Sequence, residues 1–135
     1  MNLKLVSPAK TLTDQHGRTI RKLRVSLTDK CNLRCHYCMP LDATFMEEGR
    51  YLSPKEYADF VEELVGYGLE ELRITGGEPL VRKSFEEISD RFAALPLKKI
   101  GLTTNAVLLS RFLPVLKRNR VHHLNISLDS LDAET

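Results

Sequence analysis

Cys31, Cys35 and Cys38 are the only cysteines in 135 residues, and they fall in one run, Cys31-Asn32-Leu33-Arg34-Cys35-His36-Tyr37-Cys38. An odd number of thiols in a single cluster argues against a disulfide scaffold and for a metal site in a reducing compartment. Three thiolates this close can wrap one small centre. A tetrahedral zinc ion asks for a fourth ligand. A four-iron cluster takes one ligand per iron, so three cysteines leave one iron open to a cofactor or substrate. His36 is a poor fourth zinc ligand, because it stands directly between two of the thiols. A redox pair made of Cys35 and Cys38 leaves Cys31 unexplained, and buried packing thiols do not suit so polar a run.

The bulk composition is that of an ordinary soluble domain, 42% hydrophobic and 28% charged. A net charge of +2, from 20 basic and 18 acidic residues, gives no electrostatic case for nucleic acid or an anionic membrane. No apolar run approaches a transmembrane length. The start of the chain lacks the apolar core of a signal peptide. The expected compartment is the cytoplasm.

Periodicity divides the chain into an arm, 1–22, with a turn at Asp14 to Gly17, and an α/β unit, 23–135. Leu23 to Thr28 alternates as a strand does. The cysteine segment follows. Ser53, Pro54 and Glu56 form a helix start with a capping box. Tyr57, Phe60, Val61, Leu64 and Val65 make its apolar stripe, and Gly68 stops it. Glu71 to Thr75 is a second strand. Ser84 and Glu87 mark the next helix, with Phe85, Ile88 and Phe92 buried and Pro96 ending it. Lys99 to Thr103 is a third strand. A third helix covers Ser110 to Lys117, with Pro114 tolerated near a cap at Ser110. His122 to Asp129 is a fourth strand.

This alternation predicts parallel strands with right-handed crossovers. Each strand has one apolar face: Leu23, Val25 and Leu27; Leu72 and Ile74; Ile100 and Leu102; Leu124, Ile126 and Leu128. The opposite face carries Arg24, Ser26, Thr28, Arg73, Thr75, Gly101, Thr103, Asn125, Ser127 and Asp129. Parallel strands covered on both sides read as continuous apolar runs instead. A curved α/β sheet around a ligand-filled lumen with a polar face explains this pattern, and a closed, densely packed barrel does not. An open sheet with one wet side is the alternative, disfavoured by the repetition at four strands and by two arginines and an aspartate on that face, since bare arginines there call for anionic partners.

The strand ends carry the chemistry, because the carboxyl ends of parallel strands face the active mouth of such folds. Gly76-Gly77-Glu78-Pro79 leaves the second strand. Thr103-Thr104-Asn105 closes the third, and Ser127-Leu128-Asp129-Ser130 the fourth. The two glycines allow backbone to pass close to a ligand. Glu78 either accepts from a ligand amine or caps local amides. Arg24 and Arg73 offer paired donors to phosphate or carboxylate. Tyr37 serves equally as a ring over a cofactor or as local packing. His36, His122 and His123 are assigned no role, and Lys117, Arg118 and Arg120 are expected to face solvent at a helix end.

The Cys31, Cys35, Cys38 spacing resembles the signature of radical S-adenosylmethionine enzymes, and Gly76-Gly77-Glu78-Pro79 resembles their cofactor amine-binding turn. The motifs Leu23 to Asp29, Cys38-Met39-Pro40, Leu72 to Leu80, Thr103-Thr104-Asn105 and Ser127 to Asp132 are similar, in order and spacing, to the GTP 3',8-cyclase family of molybdenum cofactor biosynthesis. The resemblance implies that Cys31, Cys35 and Cys38 hold three irons of a [4Fe-4S] cluster and that S-adenosyl-L-methionine chelates the fourth. It implies cofactor contacts at Tyr37, Gly76, Gly77, Glu78 and Ser127, and GTP contacts at Arg24, Arg73 and Thr103. The implied reaction reduces the sulfonium to methionine and a 5'-deoxyadenosyl radical, which takes the ribose 3' hydrogen of GTP on the way to 3',8-cyclo-7,8-dihydro-GTP. The implied partners are a flavodoxin-like or ferredoxin-like electron donor and a downstream cyclic pyranopterin synthase, and a homodimer is compatible. The alternatives are another peptide- or cofactor-modifying enzyme of the superfamily, or an inactive iron–sulfur fragment.

Two departures stand out. The family has glycine after the Thr103-Thr104-Asn105 run, where this chain has Ala106. The family fold is a partial (β/α)6 TIM-like barrel followed by a C-terminal region binding a second [4Fe-4S] cluster, so the resemblance implies that this chain is an N-terminal part of that α/β barrel, inactive alone.

Overall fold

The computed structural model describes residues 10–132 and 134. It is an α/β fold with four parallel strands in the order β1-β2-β3-β4. Along the chain run β1 (Lys22–Ser26), α1 (Pro54–Gly66), β2 (Glu71–Thr75), α2 (Phe85–Ala93), β3 (Lys99–Thr104), α3 (Leu109–Arg118) and β4 (Val121–Ile126). The sequential order follows from each helix returning the chain to the next parallel position. Val25 pairs with Ile74, Ile74 with Leu102, and Leu102 with Leu124, so the apolar positions of all four strands share one face.

The helices pack on that face. Leu27, Ile74 and Leu102 are fully buried against Val61, Phe85, Ile88 and Phe92. Ser53 caps α1 with the full capping box, its Oγ accepting from Glu56 N and the Glu56 carboxylate accepting from Ser53 N. Such a cap is worth about 1 kcal/mol. Gly68, at φ 92°, turns the chain out of α1 into β2. The opposite sheet face keeps Arg24, Arg73, Thr75 and Thr103, as a polar-lined partial barrel requires. Among the described residues no helix is long and apolar enough to cross a membrane.

Several details depart from the periodicity. Phe60 is 53% exposed, because Tyr57 and Val61 take the buried side of α1 and leave Phe60 beside it. The Ser84 side chain caps nothing, and α2 starts without a side-chain cap. Helix α3 starts earlier, with its cap at Leu108, which puts Pro114 inside the helix rather than in its first turn. The missing Pro114 N–H leaves one carbonyl without its helical partner. Strand β4 stops at Ile126, so Leu128 lies beyond it, and Leu124, Ile126 and Leu128 are 36%, 54% and 64% exposed: the described residues cover them only in part. A register shift between Ile100 and Gly101 puts Val121 and His123 opposite adjacent β3 residues, with His122 between them. In the arm, Asp14 and Gly17 form the expected turn and Thr13 bridges Thr19; its residues 1–9 lie outside those described.

Candidate functional site

The segment from Asp29 to Leu52 carries the thiols and has almost no regular structure, so side chains hold it. The Asp29 carboxylate accepts from Met46 N at 2.8 Å and from the Tyr51 hydroxyl. The Tyr51 bond and then the Met46 bond draw the Asp29 pKa below its ordinary value. Arg82, 7% exposed, lays its guanidinium 4.5 Å from the Tyr51 ring centroid, and donates to Glu48 at 2.7 Å and to the Leu52 carbonyl at 3.2 Å. Lys30 reaches the other Glu48 oxygen at 3.1 Å. Within the loop, Cys38 N and Met39 N both donate to the Cys35 carbonyl at 2.9 Å, while Arg34 donates to the Cys31 carbonyl at 2.7 Å.

The Gly76–Gly77 turn packs under the start of this loop. Gly77 N donates to the Thr28 carbonyl at 2.7 Å, and Glu78 N to the Lys30 carbonyl at 2.8 Å. A Cβ on Gly77 would stand 2.5 Å from the Lys30 carbonyl oxygen, and one on Gly76 2.7 Å from that of Thr28. The close backbone approach expected at these glycines is thus made first by the protein's own cysteine loop. Their carbonyls accept from no donor among the described residues and remain available to a ligand amine.

Glu78 is 1% exposed and caps local groups. One carboxylate oxygen accepts from Leu80 N at 3.1 Å and Thr104 Oγ1 at 2.7 Å, the other from Asn105 N at 2.8 Å. It therefore bolts the end of β2 to the end of β3. Asn105 in turn donates from Nδ2 to Asn32 Oδ1 at 2.8 Å and to Cys31 Sγ at 3.8 Å.

These loops enclose one cavity of about 450 Å³. Its walls include all three thiols and Tyr37 from the first loop, the Gly76-Gly77-Glu78 turn, Thr103 to Asn105, and Ser127 to Ser130. Cys31 and Cys35 are half-buried and Cys38 is exposed; all three are free thiols. Tyr37 crosses the mouth and donates to Asp129 Oδ2 at 2.7 Å, a bond that pushes its pKa up to about 12. His36 stacks edge-on against Tyr37, with ring centroids 5.5 Å apart. Among the described residues no three His, Cys, Asp or Glu side chains close around a single-ion position.

Arg24 and Arg73 lie elsewhere. They line a second cavity of about 240 Å³ on the same sheet face, toward the amino ends of the strands, with Lys22, Lys99, Gly101 and Glu71, whose carboxylate pairs with Lys22 at 3.2 Å. Arg73 Nη1 is buried there without a hydrogen-bond partner, which suits an anionic occupant. Thr103, grouped with these arginines by the family resemblance, lines the cysteine cavity instead. The sequence assigned no individual role to Asn105, Asp129, Asp29, Tyr51 or Arg82. Asn105 and Asp129 sat inside noted strand-end motifs; a lone arginine after the turn and a tyrosine at the loop's end carry no periodic signal.

Comparison with known proteins agrees with this arrangement. The family model described as Radical SAM superfamily matches residues 25–135. A GTP 3',8-cyclase of Synechocystis sp. is 61% identical over 127 residues, covering 94% of this chain and 39% of the relative. A GTP 3',8-cyclase of Aquifex aeolicus is 40% identical, over 91% of this chain and 39% of its own length. Molybdenum cofactor biosynthesis protein 1 of Drosophila melanogaster is 44% identical, over 89% of this chain and 22% of its own. The chain thus spans about 39% of the cyclases it matches. A match that begins within β1 and takes in the cysteine loop and every later strand is decisive for the family, and the chain belongs to the radical SAM superfamily.

Proposed function

We propose that this chain is the N-terminal part of a GTP 3',8-cyclase acting in molybdenum cofactor biosynthesis. The observation that carries the reading is the convergence of three thiols and three further strand-end loops on one cavity, on a chain 61% identical to a protein of that name. The donor set fits a [4Fe-4S] cluster: three thiols line the cavity, and three ligands leave one iron for S-adenosyl-L-methionine. When bound, the cluster and cofactor supply one-electron cleavage of the sulfonium bond. Cys31, Cys35 and Cys38 hold the metal. The free carbonyls of Gly76 and Gly77 accept the cofactor's amine, Tyr37 and Ser127 flank it, and Glu78 fixes the turn by its buried bonds. Thr103 stands between cofactor and substrate. Arg24 and Arg73 receive the phosphates of GTP, Arg73 through its unpartnered Nη1. The protein's contribution is placement and shielding. A second [4Fe-4S] cluster, contributed by the rest of the full-length enzyme, completes the substrate side. A flavodoxin-like or ferredoxin-like protein delivers the electron in the cytoplasm, and a cyclic pyranopterin synthase consumes the product.

The test is anaerobic reconstitution of the full reading frame with iron and sulfide, then addition of S-adenosylmethionine, dithionite and GTP. The expected products are 5'-deoxyadenosine and 3',8-cyclo-7,8-dihydro-GTP. Alanine at Cys31, Cys35 or Cys38 abolishes both and removes the iron at that site. Deoxyadenosine without cyclised product in the presence of GTP defeats the substrate assignment. Full iron content in the alanine variants defeats the metal assignment.

A further inference from the structure

The two ends of the Asn105 side chain have different work. Oδ1 accepts from Val107 N at 3.1 Å. A backbone N–H can only donate, so the carbonyl end of the amide is fixed there and the amine end faces the cysteine loop. Nδ2 has two hydrogens and two acceptors, Asn32 Oδ1 at 2.8 Å and Cys31 Sγ at 3.8 Å, within the longer reach of sulfur. The backbone is held as well, since Asn105 N donates to the buried Glu78 carboxylate. Cys31 Sγ also receives Leu33 N–H at 3.4 Å. Among the described residues neither Cys35 nor Cys38 receives an N–H on its sulfur.

A thiolate ligand gains negative charge when its cluster accepts an electron. An N–H aimed at that sulfur stabilises the reduced form more than the oxidised form, and so raises the reduction potential. We propose that Asn105 is a positioning residue that sets the reduction potential of the cluster through its Nδ2–H···Sγ bond to Cys31. The inference rests on the cluster assigned above. Cys31 is thereby distinguished from the other two ligands: it is tied to β3 through Asn105, and β3 is tied to the Gly76–Gly77 turn through Glu78. The electron itself comes from an external low-potential one-electron donor, and no bond to Asn105 forms or breaks.

The test is a dithionite titration of the anaerobically reconstituted full-length protein, followed by electron paramagnetic resonance. The relevant cluster is the one whose signal shifts on adding S-adenosylmethionine. Asn105→Ala removes the donor. Asn105→Asp keeps the acceptor for Val107 but places a carboxylate oxygen against the sulfur. At the wild-type midpoint the ratio of reduced to oxidised cluster is expected to fall about tenfold in Asn105→Ala, which is about 59 mV for a one-electron couple, and further in Asn105→Asp. An assembled cluster with an unchanged midpoint in both variants overturns the proposal. If neither variant assembles a cluster, wild-type protein carrying asparagine labelled with 15N in the side-chain amide decides: pulsed measurements are expected to show coupling of that nitrogen to the cluster, and its absence overturns the proposal. Wild-type protein with no S-adenosylmethionine-sensitive signal defeats the cluster reading itself, a separate outcome.

Discussion

The Tyr37 hydroxyl donates to Asp129 Oδ2 at 2.7 Å, joining the cysteine loop to the segment after β4 across 92 positions of sequence. It is the contact that closes the candidate cofactor cavity on its exposed side, where Tyr37 is 68% exposed. Under the proposed function, Tyr37→Phe and Asp129→Ala each weaken S-adenosylmethionine binding about fivefold, the weight of one surface hydrogen bond. Asp129→Asn retains an acceptor and binds more nearly as wild type. Equilibrium binding to the reconstituted protein checks the order of the three.

Glu78 is a stability residue of the site as much as a ligand candidate. Its carboxylate satisfies three donors in a place closed to water. Glu78→Gln turns an amide N–H toward one of those donors and leaves it unpaired, at a cost of about 2–3 kcal/mol. Chemical denaturation is expected to show that loss, and hydrogen exchange to show it concentrated at Leu80, Thr104 and Asn105.

Ala106 sits at φ 66°, in the left-handed region. A β-carbon there costs about 1–2 kcal/mol, while glycine frees the unfolded chain by about 0.4–1 kcal/mol. Ala106→Gly is therefore expected to stabilise the protein by about 0.5–1 kcal/mol, read from denaturation midpoints at unchanged slope. The related position Gly77 behaves oppositely: its alanine variant meets the Lys30 and Asp29 carbonyl oxygens at 2.5 and 2.6 Å and should displace the cysteine loop, seen as a loss of bound iron.

Asp90 accepts from Arg118 at 2.8 Å and from Asn119 at 2.7 Å, and the Arg118 bond, followed by that of Asn119, draws its pKa below the ordinary value. A lowered carboxylate pKa gives stability that is present above the unfolded-chain value, near 3.9, and lost as pH falls through the folded one. Asp90→Asn is expected to be less stable at neutral pH and to lose less stability between about pH 5 and pH 3. Thermal denaturation across that range checks both.

Much of the candidate site was legible because its signals are local. The thiol spacing, the paired glycines and the Ser53–Glu56 cap each lie within a few residues and need no knowledge of the fold. The strand faces were legible too, since a period of two assigns Leu72 and Ile74 to one side and Arg73 to the other. Phe60 and the start of α3 were misread because exposure depends on what packs nearby, and the Leu108 cap has no capping side chain to announce it.

The sequence alone determined the thiol spacing, the paired-glycine turn and the parallel α/β order, because these are written in short spacings and repeated periods. Only the tertiary structure decided which side chains meet across the mouth: Asn105 with Cys31, Tyr37 with Asp129, Glu78 with Thr104, and Thr103 with the thiols rather than with the arginines. The reason is that β-strand register and crossover packing bring together residues 26 to 92 positions apart, and no pattern along the chain records that distance.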